Sequence, residues 1–146
     1  MKKLASLLII AFMTHAQLAI SEEPTVGTLI LHVSNLKNDN GEVRIALARS
    51  KEELDFKKLP LKLVRAEIRD RKAEWAFVDL PFGEYAIKLY HDENGNEVFD
   101  RNFLGIPKEG YGFSNNAKGR FGPPAYDQVK FTFNEFQAEM TIKVIY

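Results

Sequence analysis

The chain predicts an all-β domain, an antiparallel two-sheet sandwich of the Ig-like kind with about seven strands and one long structured loop. Three observations predict it. Apolar residues recur at every second position through most of the chain, turn-forming residues separate these runs, and only one short helical signal interrupts them. A parallel α/β sheet would need long helical stretches between its strands, and the chain has none.

The first alternating run sets Leu29, Leu31 and Val33 against Thr28, Ile30 and His32, and the second sets Val43, Ile45 and Leu47 against Glu42, Arg44 and Ala46. The intervening Asn40 and Gly41 tolerate positive φ, so these two strands are expected to form a hairpin. Ser50 precedes Glu53 by three residues, the spacing of a reciprocal helix cap, which predicts a helical turn over 51–56 that Pro60 would stop. Val64, Ala66 and Ile68 then alternate with charged residues, Asp70 to Lys72 read as a turn, and Ala73, Trp75 and Phe77 open the next strand. On an alternating strand Trp75 and Phe77 are expected in the core. Tyr85, Ile87 and Leu89 follow, and after a long gap come Val129, Phe131, Phe133 and finally Met140, Ile142, Val144.

Before these strands lies a different pattern. Lys2 and Lys3 precede an apolar run from Leu4 to Met13, which reads as a signal peptide over 1–21, with small residues favouring cleavage after Ala16 or Ser21. The run is too short to span a bilayer and no second one follows, so residues 22–146 are expected to be one exported domain, periplasmic or secreted, without a transmembrane span. With no cysteine, neither a lipoprotein anchor nor a disulfide framework is available. Charges balance at 20 and 20, and removal of Lys2 and Lys3 leaves 18 against 20, so no strong field is expected to recruit nucleic acid or acidic lipid.

Residues 91–127 hold six of the nine glycines, three of the six prolines and five asparagines, a loop too long for a simple connection. Phe99, Phe103, Leu104, Ile106, Tyr111, Phe113, Phe121 and Tyr126 run through it and give it apolar material to pack, so it is expected to be a structured cap.

The stretches "LPFGEYAIKLYHDENGN", "FLGIPKEGYGFSNNAKGRFGPP" and "MTIKVIY" occur in that order, and with them the mature chain resembles the bacterial exported domain-of-unknown-function family 2141. The resemblance implies a small extracytoplasmic β-sandwich and no established activity. The shorter "DLPFGEYAIKLY" is similar to a turn and strand of transthyretin-like and carboxypeptidase-regulatory domains, which bears on fold and not on chemistry. Hydroxyisourate hydrolases share that architecture but end in Tyr-Arg-Gly-Ser, whereas this chain ends Ile142 to Tyr146, which argues against that activity.

Three chemistries are open to the loop. Asp92, Asn94, Asn96 and Asp100, with the Val98 carbonyl, offer the oxygen mixture that calcium takes at about 2.3–2.6 Å. On an extended strand alternate donors would lie about 6.6 Å apart, so the chain must curl, and Gly95 permits it. Counting from Asp92, the sixth and twelfth positions are Glu97 and Phe103 where an EF-hand needs Gly and Glu, so this is not an EF-hand; the competing reading is a set of Asx turns that needs no ion. A hydrolase centred on His91 and Glu109 is the catalytic alternative, although parity places His91 at the rim of the core, and neither a Gly-x-Ser-x-Gly elbow nor a His-Glu-x-x-His pair exists. The favoured reading is noncatalytic binding of a glycan or extended peptide in the envelope or outside the cell, through His91, Glu109, Tyr111, Phe113, Asn115, Asn116, Arg120 and Tyr126. A purely structural accessory domain of an envelope complex is the third reading.

Overall fold

The computed structural model describes residues 25–146. The expected signal peptide, 1–21, lies outside the described residues. Eight strands form two sheets: β1 (Val26–Ser34), β2 (Glu42–Ala48), β3 (Lys62–Glu67), β4 (Ala73–Pro81), β5 (Gly83–Asp92), β6 (Tyr111–Phe113), β7 (Phe131–Phe133) and β8 (Gln137–Lys143). One sheet has the order β4-β1-β8, and the other the order β3-β2-β5-β6, with β7 also paired to β5. The all-β two-sheet architecture is as the alternation predicts. β6 is a short strand that glycine-rich "YGF" does not announce, which accounts for the extra one.

The inward positions are the ones that parity selects. Leu29, Leu31 and Val33 from β1, Val43, Ile45 and Leu47 from β2, and Tyr85, Ile87 and Leu89 from β5 are all buried and meet Phe77, Phe133 and Ile142 in one core. Trp75 packs half-buried on its margin. The β3–β4 turn falls at Asp70 and Arg71, both at positive φ (52° and 57°), which lets Arg69 and Lys72 exchange backbone hydrogen bonds across two residues.

Three expectations need correction. β1 and β2 are not a hairpin, because β1 has both edges filled by β4 and β8 while β2 has both filled by β3 and β5. The connection instead crosses between sheets, with Leu36 buried beneath it and Asn35 Nδ2 donating to the Val144 carbonyl at 2.7 Å. Nor is every pair antiparallel. β8 lies parallel to β1, because the chain changes sheets after β7 and arrives at β1 running the same way. The helical turn α1 (Lys51–Leu54) forms as expected, but its cap is not reciprocal: Ser50 Oγ accepts from the Glu53 amide at 3.2 Å, whereas the Glu53 carboxylate accepts from the Arg49 amide at 2.8 Å.

The organising strand is β5. Along one edge it pairs continuously with β2. Its other edge is divided: β7 covers Gly83–Tyr85 and β6 covers Lys88–Tyr90, which leaves a gap at Ile87. The fully buried Ser114, in a single 3₁₀ turn (Ser114–Asn116), fills that gap. Its Oγ accepts from the Ile87 amide at 2.9 Å and donates to the Val129 carbonyl at 2.6 Å.

Ser114→Ala would leave the buried Ile87 amide without its partner and the Val129 carbonyl with Asn115 alone, at an expected cost of about 1–3 kcal/mol. Urea unfolding of the variant reads this directly, and an unchanged midpoint would remove Ser114 from its place in the fold.

Candidate functional site

Over residues 91–127, on both sides of β6, the chain forms a crown over one end of the sandwich. Its first segment begins with His91, completely buried. His91 Nε2 lies 2.7 Å from the Asn40 carbonyl and so carries the proton, which leaves Nδ1 to accept from the Tyr146 hydroxyl at 2.8 Å. Both nitrogens are occupied and neither meets Glu109. Gly41, at φ +70°, lets the opposite loop lie against this rim, because any Cβ there would collide with the Asp92 carbonyl.

Asp92 is also completely buried, and its two oxygens accept from the amides of Asn96 (3.1 Å) and Glu97 (2.9 Å). Asn94 Oδ1 accepts from the Asn96 amide at 3.0 Å, and Asn96 Oδ1 from the Val98 amide at 2.9 Å. Both side-chain amides converge on Asp100 Oδ2, at 2.7 and 3.1 Å. This is the Asx-turn network that the residue types offer as the ion-free alternative. The curl that calcium would need is also present, since Gly95 and Glu97 stand at φ +71° and +66°. Among the described residues, however, no three His, Cys, Asp or Glu side chains gather in a metal-holding group.

Glu109 pins this segment from outside. Its buried carboxylate accepts from the Glu93 amide (3.1 Å) and the Asp100 amide (3.0 Å), and so ties both ends of the curl together. On the outer side, the Glu97 carboxylate lies 2.9 Å from Arg44 and 3.1 Å from Arg65, and the hydrogen bond from Arg44 leads the effects that hold it below the usual carboxylate range. Arg44 Nε sits 2.6 Å from Glu42 and 3.4 Å from Asp92, without hydrogen-bond alignment to either.

The second segment serves the scaffold. Asn115, at φ +60°, donates its amide to the carbonyls of Gln128, Val129 and Lys130 at 2.9–3.1 Å. Asn116 imitates a strand against the β8 edge: its Oδ1 accepts from the Lys143 amide at 2.8 Å and its Nδ2 donates to the Thr141 carbonyl at 3.1 Å. Tyr126, at the start of the short helix α2 (Tyr126–Val129), packs half-buried on Ala48, Leu54, Ala86 and Val129, and its hydroxyl is buried without a protein partner. Burial raises its pKa. Arg120 is exposed, with its guanidinium 5.5 Å from the Phe121 ring.

Tyr111 and Phe113 belong to a different place. They point outward from β6 onto the solvent face of the five-stranded sheet, where they join a run of rings: Tyr90 to Phe99 (5.4 Å between centroids), Phe99 to Tyr111 (5.8 Å) and Tyr111 to Phe113 (6.2 Å). These rings line a cleft of about 370 Å³, closed on one side by the end of α1 at Phe56 and on the other by Pro123 and Pro124 of the crown. Lys88 projects into it from β5, its ammonium 3.9 Å from the Phe56 centroid. Among the described residues, no carboxylate pairs with Lys88 within 4.0 Å. Burial lowers its pKa to about 8, against the pull of Asp55 and with a further push from Arg101.

Lys88, Tyr90, Phe99 and Phe56 are site residues that pattern reading does not select. Part of the signal was present: the outward face of β5 continues Glu84, Ala86, Lys88 to Tyr90, an aromatic ring where a solvated strand would carry a polar side chain. The register that sets β6 beside it is tertiary information.

Fold and site together define a small all-β sandwich whose second sheet carries an aromatic cleft on its outer face. Residues 31–141 match the family described as "Uncharacterized protein conserved in bacteria (DUF2141)", and the chain belongs to that family. No curated protein and no solved structure matches the chain.

Glu109→Gln keeps one acceptor oxygen and loses the other. Amide hydrogen exchange at Glu93 or Asp100 should accelerate by about ten-fold or more, in keeping with the loss of about 1–3 kcal/mol for an orphaned buried donor. Unchanged protection at both amides would mean that Glu109 does not hold the crown.

Proposed function

We propose that this domain is a noncatalytic binding module of the bacterial envelope or its surroundings, and that its ligand lies in the outer-face cleft. One observation carries the reading: four consecutive rings and an unpaired, partly desolvated ammonium line a single cavity on a sheet face that ordinarily meets water. A volume of about 370 Å³ falls within the range of small-ligand pockets. Flat apolar faces suit the faces of sugar rings, and Lys88 with Arg101 favours an anionic group. The ligand class that fits both is an acidic oligosaccharide. A hydrolase centred on His91 has no support, since that imidazole is buried with both nitrogens engaged in the scaffold.

Titration calorimetry with neutral and carboxylated oligosaccharides and acidic peptides tests the reading. Tyr111→Ala and Lys88→Met are each expected to weaken the carboxylated ligand about ten-fold or more, corresponding to about 1.4 kcal/mol. Because the anion prefers protonated Lys88, affinity should fall as pH rises through about 8, with proton uptake on binding near that pH. Equal affinity for neutral and carboxylated ligands would remove Lys88 from recognition, and no binding by any of them would remove the cleft.

A second proposal is a calcium brace on 92–100. What supports it is the backbone: Glu97 at φ +66° makes the sharp turn at the sixth position, where an EF-hand uses glycine. The residues that would hold the ion are Asp92, Asn94, Asn96, the Val98 carbonyl and Asp100. At about 1 mM calcium, a site of about 0.1 mM affinity adds about 1.4 kcal/mol. The melting midpoint should therefore rise by about 3–8 °C over that in chelator. An unmoved midpoint would leave the Asx network as the whole explanation of the curl.

A further inference from the structure

Beyond the cleft, the crown carries two apolar tips. The first is a knuckle over residues 101–107 in which polar groups are turned inward. Asn102 and Ile106 are joined by a backbone hydrogen bond of 2.9 Å, Gly105 donates to the Asn102 carbonyl at 2.9 Å, and Asn102 Oδ1 accepts from the amides of Leu104 (2.9 Å) and Ile106 (3.0 Å). Arg101 closes the turn by donating to the Gly105 carbonyl at 3.1 Å. What points outward is Phe103, 95 % exposed, with Leu104 and Ile106 beside it. The second tip is Arg120–Phe121–Gly122, where Phe121 is also 95 % exposed. Leu104, Ile106, Arg120 and Phe121 surround one shallow depression, so the tips form a common surface.

Single exposed apolar residues are ordinary, but a tight turn that pairs the amides of Asn102, Leu104, Gly105 and Ile106 around a fully exposed phenylalanine is not. Water offers no gain from that arrangement. An interface poor in hydrogen-bonding partners does, because backbone groups that are already paired cost little to bring into it. Charge supplies the second argument. The whole chain is formally neutral, yet residues 101–124 carry Arg101, Lys108, Lys118 and Arg120 against Glu109 alone, and Glu109 is buried with its carboxylate turned to backbone amides. The exposed side chains around the tips are therefore apolar or basic. Ring tips with flanking cations match the boundary between acyl chains and anionic headgroups.

We propose that the crown docks on an anionic lipid surface, with Phe103 and Phe121 inserted at the headgroup level and Arg101 and Arg120 meeting phosphates. This goes beyond the cleft reading and does not depend on it. Docking this way would hold the neighbouring cleft, which shares Phe99, Arg101, Tyr111, Phe113 and Pro123 with the tip depression, beside the membrane.

Vesicle flotation tests the proposal, with the chain from residue 22, which contains every element of the fold and lacks the apolar amino-terminal segment. Partitioning is expected onto vesicles of phosphatidylcholine with phosphatidylglycerol, much less onto phosphatidylcholine alone, and less at high salt. Phe103→Ser with Phe121→Ser should reduce partitioning about ten-fold or more at an unchanged melting midpoint, since both rings are exposed. Arg120→Gln should reduce it by about three- to five-fold on the anionic vesicles. Phe56→Ala, in the cleft wall and outside the tip depression, should leave it unchanged. Phe103→Trp adds an independent readout, a blue shift of emission on phosphatidylglycerol vesicles, with Trp75 half-buried on the other sheet. Partitioning that survives the double serine variant overturns the proposal, as does none by the unaltered chain. A concentration-dependent dimer that Phe103→Ser abolishes would overturn it in favour of a second copy as the occupant.

Discussion

The divided edge of β5 is the constraint from which the rest of the structure follows. A ten-residue strand in the middle of a sheet needs its amides and carbonyls paired on both sides, and here one of those sides is served by two three-residue strands that enter from different parts of the chain. Neither short strand would hold alone. Ser114 joins them at the gap, Asn115 draws in the carbonyls of 128–130, and Asn116 extends the β8 edge, so three consecutive small polar side chains do the work of a missing stretch of strand. The crown is consequently tied to the sheet at both ends. Its polar residues are spent on the fold and its aromatic ones are left for the surface.

That division explains the placement of chemistry. Carboxylates in the crown, Asp92, Asp100 and Glu109, face inward and accept from backbone amides or neighbouring side-chain amides. The others are taken up by side chains at the margins: Glu97 by Arg44 and Arg65, Glu93 by Asn38 and Lys37, and Asp127 by Lys130. Cations and rings remain outward, so the same packing that stabilises the loop biases its exposed face toward anionic and flat partners. Lys88 sits at the meeting point, partly desolvated by Phe56 and the crown, which is why its charge is the most pH-sensitive feature of the cleft.

Much of the core was legible beforehand because parity is a local property. Leu29, Leu31, Val33, Val43, Ile45, Leu47, Tyr85, Ile87 and Leu89 were assignable to the inner face from alternation alone, and His91 followed them to the rim. The turn at Asp70 and Arg71 and the cap at Ser50 were also legible, since each involves neighbours in sequence. Partner choice was not. Asn40–Gly41 has the chemistry of a hairpin turn, yet pairing is settled by which edges other strands fill, and β4, β8, β3 and β5 fill them all. The asparagines of 114–116 looked like adaptable contact groups because their residue types are the same whether the partner is a ligand or a distant carbonyl.

By itself, then, the order of residues determined the fold class, the inward faces and the presence of a folded crown, all of which depend on periodicity, local turn chemistry and enough apolar material to pack. Only the tertiary structure decided that Tyr90, Phe99, Tyr111 and Phe113 share a wall with Lys88, and that Leu104 and Ile106 border one depression with Phe121. Those groupings join residues from separate strands and loops, and they arise from the registers on either edge of β5 and from hydrogen bonds between distant segments, which no local spacing encodes.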